Sequence, residues 1–232
     1  MARTARSKVF GPDKMSTSIH PLARLIAAFA RGLSGVQVRW QGCAPELRQR
    51  VYFANHTSHL DFVVLWSALP KELRARTRPV AAKDYWQSGF RSYLAQRVFR
   101  AVLVERGAAA RTAHEEHLHS SGFAVIDQMA EAMGERDSLI FFPEGTRGTG
   151  ETVGEFKSGL YHLAKRRPDV ELIPAYLENL NRILPKGEIV PVPLVSELTF
   201  GPPVQLAESE NKHKFLERAR DAVCALRRKG SE

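Results

Sequence analysis

A chain of 232 residues with 44% apolar content is long enough to bury the core of one α/β domain, which excludes a disordered or low-complexity protein. Thirty-four Lys and Arg against 25 Asp and Glu give a formal charge of +9, which suits an anionic partner: nucleic acid, anionic lipid, an acidic carrier protein or a phosphorylated small molecule. Cys43 and Cys224 stand in unrelated contexts with no disulfide or zinc spacing, so a reducing compartment is expected; no apolar run reaches the roughly 18 residues of a membrane span, and no secretory leader pattern is present.

In chain order, residues 1–18 are basic and polar, are broken by Gly11-Pro12, and are expected to form a loose tail. Over 19–35, Leu22, Leu25, Ile26, Phe29 and Leu33 recur at helical spacing, with Arg24 and Arg31 elsewhere on the same helix. Two readings stay open for this amphipathic segment. Its stripe lies in a membrane interface with the arginines at lipid phosphates, or it packs on the domain. From 36 to 232, short apolar runs alternate with longer segments of 3.6 periodicity, the βαβ pattern of a single domain. Strands are expected at 36–41, 50–54, 79–82, 101–104, 138–142, 171–177 and 194–200. Helices are expected at 59–69, 84–98, 122–133, 157–166 and 212–228, the last docking Phe215, Ala219 and Val223 on the sheet beneath a basic outer face. Residues 107–121, GAAARTAHEEHLHSS, read as the most loop-like interior stretch. The expected fold class is α/β: one domain, a mostly parallel or mixed central sheet covered by helices, and an N-terminal amphipathic helix.

The stretch 55–61, NHTSHLD, follows the apolar run VYFA and precedes FVVLWSAL, which makes it a strand-to-helix turn at the carboxyl end of the sheet, where open α/β sheets bind ligands. Ser58 and Asp61 fit an S-x-x-D helix cap, which accounts for part of the polarity. Capping gives no reason for His56. A histidine at the turn can bond Asp61 through one ring nitrogen and keep the other free to take a proton, as a general base requires. No G-x-S-x-G occurs, so the proton comes from a substrate hydroxyl or water. His59 is read as a bystander turning away on the forming helix. The second constellation is FFPEGTR at 141–147, where Pro ends a strand, Gly relaxes the turn, and Glu144, Thr146 and Arg147 bring charge and donors suited to a phosphate or an oxyanion.

NHTSHLD resembles the H-x4-D motif, and FPEGTR the partner motif, of the glycerolipid acyltransferases typified by 1-acylglycerol-3-phosphate acyltransferase. VLVER at 102–106, FKSG at 156–159 and LIPAYL at 172–177 resemble further blocks in the same order, so the likeness spans roughly 36–200. It implies that His56 deprotonates an acceptor hydroxyl, that Asp61 orients it, and that the hydroxyl attacks the thioester of acyl-CoA or an acyl carrier protein. It also implies that Arg106 and Arg147 hold the acceptor's anionic head in a substrate-binding pocket shaped by Glu144, Gly145 and Thr146. The expected partners are a lysophospholipid acceptor, an acyl thioester donor that serves as co-substrate with no resident cofactor, and an anionic membrane on whose cytoplasmic face the protein sits peripherally. Where relatives carry an AKxEL segment this chain has AAKDYW, which leaves the acceptor open between lysophosphatidate and another lysolipid, including a lyso-amino-acid lipid.

Two other classes fit less well. His114, His117 and His119 with Glu115 and Glu116 suggest a metal-dependent hydrolase, but H-x2-H-x-H is not a common zinc spacing and its flanks read as loop, so no metal is expected. A basic nucleic-acid or membrane binder without catalysis would explain the charge, yet no nucleic-acid-binding motif is present, and the pairing of His56 with Asp61 would have no purpose. Water as acceptor, giving a thioesterase, would leave Arg106 and Arg147 without a role.

Overall fold

The computed structural model describes residues 20–58, 60–105, 115–178 and 196–228, of which 115–122 are described as backbone only. Its strands are β1 (Gln37–Trp40), β2 (Arg50–Ala54), β3 (Thr77–Ala82), β4 (Val102–Val104), β5 (Ser138–Phe141), β6 (Glu171–Glu178) and β7 (Glu197–Phe200). Its helices are α1 (Pro21–Ser34), α2 (Asp61–Ala68), α3 (Lys71–Ala75), α4 (Lys83–Trp86), α5 (Gly89–Tyr93), α6 (Glu115–Met133), α7 (Gly159–Arg166) and α8 (Lys212–Cys224), with a π-helical turn at Leu94–Val98.

The strands form one mixed sheet in the order β1-β7-β6-β2-β5-β3-β4. Strands β2 to β6 run parallel, β7 is antiparallel to β6, and β1 follows β7. β2 lies at the centre and is buried along its whole length, because helices cover both faces of the sheet. Val51 and Phe53 point into a cluster with Met129 and Met133 of α6, Leu160 and Leu163 of α7, and Phe215 and Val223 of α8. Tyr52 and Ala54 point the other way, against Ala23 and Ala27 of α1, Val64 and Leu65 of α2, and Leu73 of α3. The chain therefore belongs to the expected α/β class, with the sheet mixed and the terminal helix α8 docked as anticipated.

α1 is well delimited: the His20 ring Nδ1 accepts from Leu22 N at 3.2 Å, Pro21 opens the first turn, and Gly35 closes it in a left-handed conformation. The face it docks is made of Ala23, Ala27, Ala30 and Ser34, while Leu25 and Phe29 stay exposed. The large residues picked out by periodicity thus flank the contact, and the small ones make it. The helix expected over 84–98 is interrupted at Ser88-Gly89, where Gly89 has φ +57, and ends through the π turn with Arg100 at φ +52. α3 was not anticipated. α6 begins at Glu115, seven residues earlier than the expected 122, so half of the supposed loop is helical. The expected strand at 194–200 starts within residues outside the description, as does the tail at 1–18.

Which face of α1 is docked can be checked by unfolding in urea. Ala27→Leu overpacks the contact and lowers stability by about 1–3 kcal/mol, whereas Leu25→Ala on the exposed face changes it by less than about 0.5 kcal/mol.

Candidate active site

β2 is followed by Asn55, whose buried side chain takes the place of the next ladder pair. Its Nδ2 donates to Leu177 O at 2.9 Å and its Oδ1 accepts from Leu177 N at 2.8 Å. Pinned to β6 in this way, the backbone is held as far as residue 55 and turns sharply at His56. His56 is then gripped by its main chain: its N–H donates to Glu144 Oε1 at 2.7 Å, and its C=O accepts from Gly148 N at 2.8 Å. The imidazole stacks on Phe142 with ring centroids 4.4 Å apart and 23° between planes.

Asp61 completes the turn. Its Oδ2 accepts from Thr57 N at 2.6 Å and Ser58 N at 2.9 Å and lies 2.8 Å from His56 Nδ1. An oxygen already accepting two main-chain hydrogens is an acceptor toward the ring as well, so Nδ1 carries the imidazole proton and Nε2 presents its lone pair. The Asp61 side chain is fully buried, while that of His56 keeps 21% exposure, so the imidazole is reachable from solvent and the carboxylate against it is not. Asp61 Oδ1 is buried with no partner among the described residues. The expected Ser58 cap is not formed: α2 starts at Asp61 with Leu60 at the N-cap and no side-chain cap bond, while Asp61 bonds Ser58 N, Leu60 N donates to Ser58 Oγ at 3.2 Å in the preceding turn, and Asp61 lies against the His56 ring. With its hydroxyl buried and engaged, Ser58 is not poised as a nucleophile.

The FFPEGTR turn follows β5, so the parallel pairing of β5 with β2 brings it to the same edge of the sheet. Glu144 is buried, and both its oxygens are bound by main-chain N–H groups: Oε1 by His56, Oε2 by Gly154 at 2.9 Å. A Cβ at residue 154 would stand 2.6 Å from Glu144 Oε2, so any side chain there would push the Glu144 carboxylate off its two main-chain donors. Glu144 therefore fastens the turn at His56 to the loop at Gly154. Gly145 adopts φ +70 and lies beneath Lys157, whose Nζ would be 3.0 Å from an added Cβ. Thr146 and Arg147 are exposed, and Arg147 has no carboxylate partner among the described residues. Lys157 places an ammonium beside this turn, a contact that FKSG in the sequence did not disclose.

β3 and β4 end on the same edge, where Lys83 pairs with Glu105 at 2.9 Å and holds the Glu105 carboxyl below its ordinary range. Arg106, His59 and His114 lie outside the described residues, as do the side chains of His117 and His119. Among the described residues no group of His, Cys, Asp and Glu is arranged to hold a metal ion.

A family-wide sequence profile, described as Acyltransferase, matches residues 35–178. The 1-acyl-sn-glycerol-3-phosphate acyltransferase alpha of Mus musculus is 27% identical over 173 residues, covering 72% of this chain and 54% of that protein. The 1-acyl-sn-glycerol-3-phosphate acyltransferase of Salmonella typhimurium is 26% identical over 203 residues, covering 85% of this chain and 72% of its own. The chain thus spans about half the length of the mouse relative. The crystal structure of the 1-acyl-sn-glycerophosphate acyltransferase PlsC from Thermotoga maritima superposes with a TM-score of 0.62 at 18% identity, over 88% of this chain and 78% of that one, which establishes a shared fold.

The clamp and the exposed arginine separate cleanly in a stability measurement. Glu144→Gln turns an N–H donor toward a main-chain N–H and is expected to cost roughly 1–3 kcal/mol in urea unfolding. Arg147→Ala is expected to change stability by less than about 0.5 kcal/mol.

Proposed function

The chain belongs to the acyltransferase family, and we propose that it transfers a fatty acyl group from an acyl thioester to the hydroxyl of a lysophospholipid, with 1-acylglycerol-3-phosphate as acceptor and phosphatidate as product. The observation that carries this reading is the 2.8 Å contact between His56 Nδ1 and Asp61 Oδ2, which leaves Nε2 free at a partly exposed position on the ligand-binding edge of the sheet. The mouse and Salmonella relatives, both 1-acyl-sn-glycerol-3-phosphate acyltransferases, support the choice of acceptor.

In this mechanism the acceptor hydroxyl gives its proton to His56 Nε2 as its oxygen attacks the thioester carbonyl. The tetrahedral adduct collapses with cleavage of the C–S bond, and the departing thiolate recovers the proton from the imidazolium, so His56 ends neutral. Asp61 holds the ring in one tautomer and opposes the charge that appears on it during transfer. The Glu144 and Gly148 bonds to the His56 main chain fix where Nε2 sits, and such pre-alignment of base, hydroxyl and carbonyl is worth roughly 7–11 kcal/mol of barrier. Arg147, with Arg106, binds the acceptor phosphate, and Gly145 and Thr146 give the turn its shape. The donor is acyl-CoA or an acyl carrier protein, no resident cofactor takes part, and the protein works peripherally at the cytoplasmic face of a membrane. Another lysolipid with an anionic head would fit the same groups.

His56→Ala and Asp61→Asn should each lower acyl transfer about 10²–10⁴-fold in an assay with labelled acyl thioester. Transfer that survives in His56→Ala overturns the mechanism. Arg147→Ala should raise KM for lysophosphatidate more than for uncharged monoacylglycerol, and an equal rise for both would remove Arg147 from phosphate binding. Acylated lipid should exceed free fatty acid in the same tubes; an excess of acid would indicate a thioesterase.

A further inference from the structure

Between β5 and α7 the chain runs through residues 142–158 with neither helix nor strand, longer than most connections in a compact domain. Its later part, 148–157, lies across the site as a strap. Gly148 N donates to His56 O at 2.8 Å, Gly154 N to Glu144 Oε2 at 2.9 Å and Lys157 N to Pro143 O at 2.9 Å. These bonds face inward, and a segment that belongs to no ladder needs partners for its outward carbonyls as well. The C-terminal helix supplies them. Arg220 of α8 donates to Val153 O from Nη2 at 2.7 Å and from Nε at 3.0 Å, and its Nε also donates to Gly154 O at 3.2 Å. Arg227, just past the end of α8, reaches Glu151 O through Nη1 at 3.2 Å.

Arg220 differs from its neighbours in what it holds. Arg218 bonds the Glu210 carboxylate at 2.6 and 2.9 Å, and Arg228 pairs with Glu197 at 2.9 Å. Arg220 is half-buried and pairs with no carboxylate among the described residues, so its charge is directed at the strap carbonyls. Its base does not move, because Phe215, Ala219 and Val223 fix α8 in the core. The Val153 carbonyl and the Gly154 N–H belong to one peptide unit. Its oxygen is held by the Arg220 cation and its hydrogen by the Glu144 anion, so the unit is polarised from both ends and each bond strengthens the other. Glu144 carries the linkage onward, since its second oxygen takes the His56 N–H at 2.7 Å. α8 lies beyond the residues 35–178 matched by the acyltransferase profile, so this support reaches the catalytic turn from outside that segment.

We propose that Arg220 is a positioning residue for His56, acting through the 153–154 peptide unit and Glu144 to keep the imidazole where acyl transfer needs it. Arg220 takes no proton and acts only through these groups. Without it the Val153 carbonyl loses its donors, the strap shifts, and Gly154 N–H leaves Glu144. The buried carboxylate then keeps one donor of two, which is unfavourable, and it moves to recover the loss. His56 moves with it, and a misplacement of about 1 Å at a reacting group costs about 10²-fold in rate. This role rests on the proposed use of His56 as general base, but the linkage it predicts is measurable without turnover.

The test compares Arg220→Ala, Arg220→Lys and Arg218→Ala in the full chain, by acyl transfer to a short-chain, water-soluble lysophosphatidate and by amide hydrogen exchange. Arg220→Ala should lower kcat about 10–100-fold while KM for the acceptor stays within about threefold. Exchange should rise at His56 and Gly154, with α8 and β6 still protected. Arg220→Lys returns one cationic donor to Val153 O and should regain at least about threefold in kcat over the alanine variant. Arg218→Ala, on the same helix but paired with Glu210, should stay within about twofold of wild type. In Glu144→Gln the amide accepts from only one of His56 and Gly154, so the path is already cut and adding Arg220→Ala should cost less than about twofold more. Unchanged kcat or unchanged exchange at His56 in Arg220→Ala overturns the proposal. Full multiplication of the two losses in the double variant overturns it too, as does loss of protection in α8, which would reduce Arg220 to a folding contact. A wild-type chain that acylates no lysolipid would instead overturn the general-base reading, and faster exchange at His56 in Arg220→Ala would still establish the linkage.

Discussion

One carboxylate oxygen, Asp61 Oδ2, organises the centre of this protein. It collects Thr57 N, Ser58 N and the His56 ring in a site from which the Asp61 side chain has no access to solvent. A buried charge is costly unless its hydrogen bonds are made, and here they are made by the turn it stabilises, so chain direction, helix start and ring orientation depend on one group. Asparagine could keep all three contacts on its one carbonyl oxygen, but it would bring no negative charge to oppose an imidazolium and would bury an amide NH2 where Oδ1 has no partner among the described residues.

That hub would be of little use if His56 could swing, and a second carboxylate prevents it from the opposite side. Glu144 holds the His56 N–H and the Gly154 N–H, and Gly148 N closes on the His56 carbonyl. The two motifs, 88 residues apart in sequence at the Glu144 bond, are thereby a single structural unit. Parallel pairing of β2 with β5 makes this economical, because both strands deliver their following loops to the same edge with no long crossing segment. The chemistry and the packing thus use the same residues: two acidic groups sealed from water hold an imidazole that is not.

The parts of this arrangement that could be read from sequence were those encoded within a few residues. All seven strands were legible because a sheet covered on both faces yields short, nearly continuous apolar runs, as in VYFA and SLIF. His56 and Asp61 were legible because both sit in one turn. The Glu144 clamp was not, since its partners are main-chain N–H groups and carry no side-chain signature. α3 was too short for any periodicity, and the break at Gly89 was hidden because Trp86, Phe90 and Tyr93 keep helical spacing across it. In α1 periodicity found the helix and its stripe but left open what the stripe meets; the docked face carries no such signal, because close approach to α2 is made by the small Ala23 and Ala27.

Docking through small residues decides what the outer face of α1 can be. If the large residues of α1 had been used to dock it, a polar outer face would have followed, and the helix would have been an ordinary cover for the sheet. By docking through alanines the chain obtains a close helix contact at low volume and keeps Leu25 and Phe29 in reserve on the outside. Their exposure leaves apolar surface in contact with water, which is unfavourable in proportion to its area. The same economy recurs at α5, where Phe90 and Tyr93 satisfy each other by stacking and contribute nothing to the core.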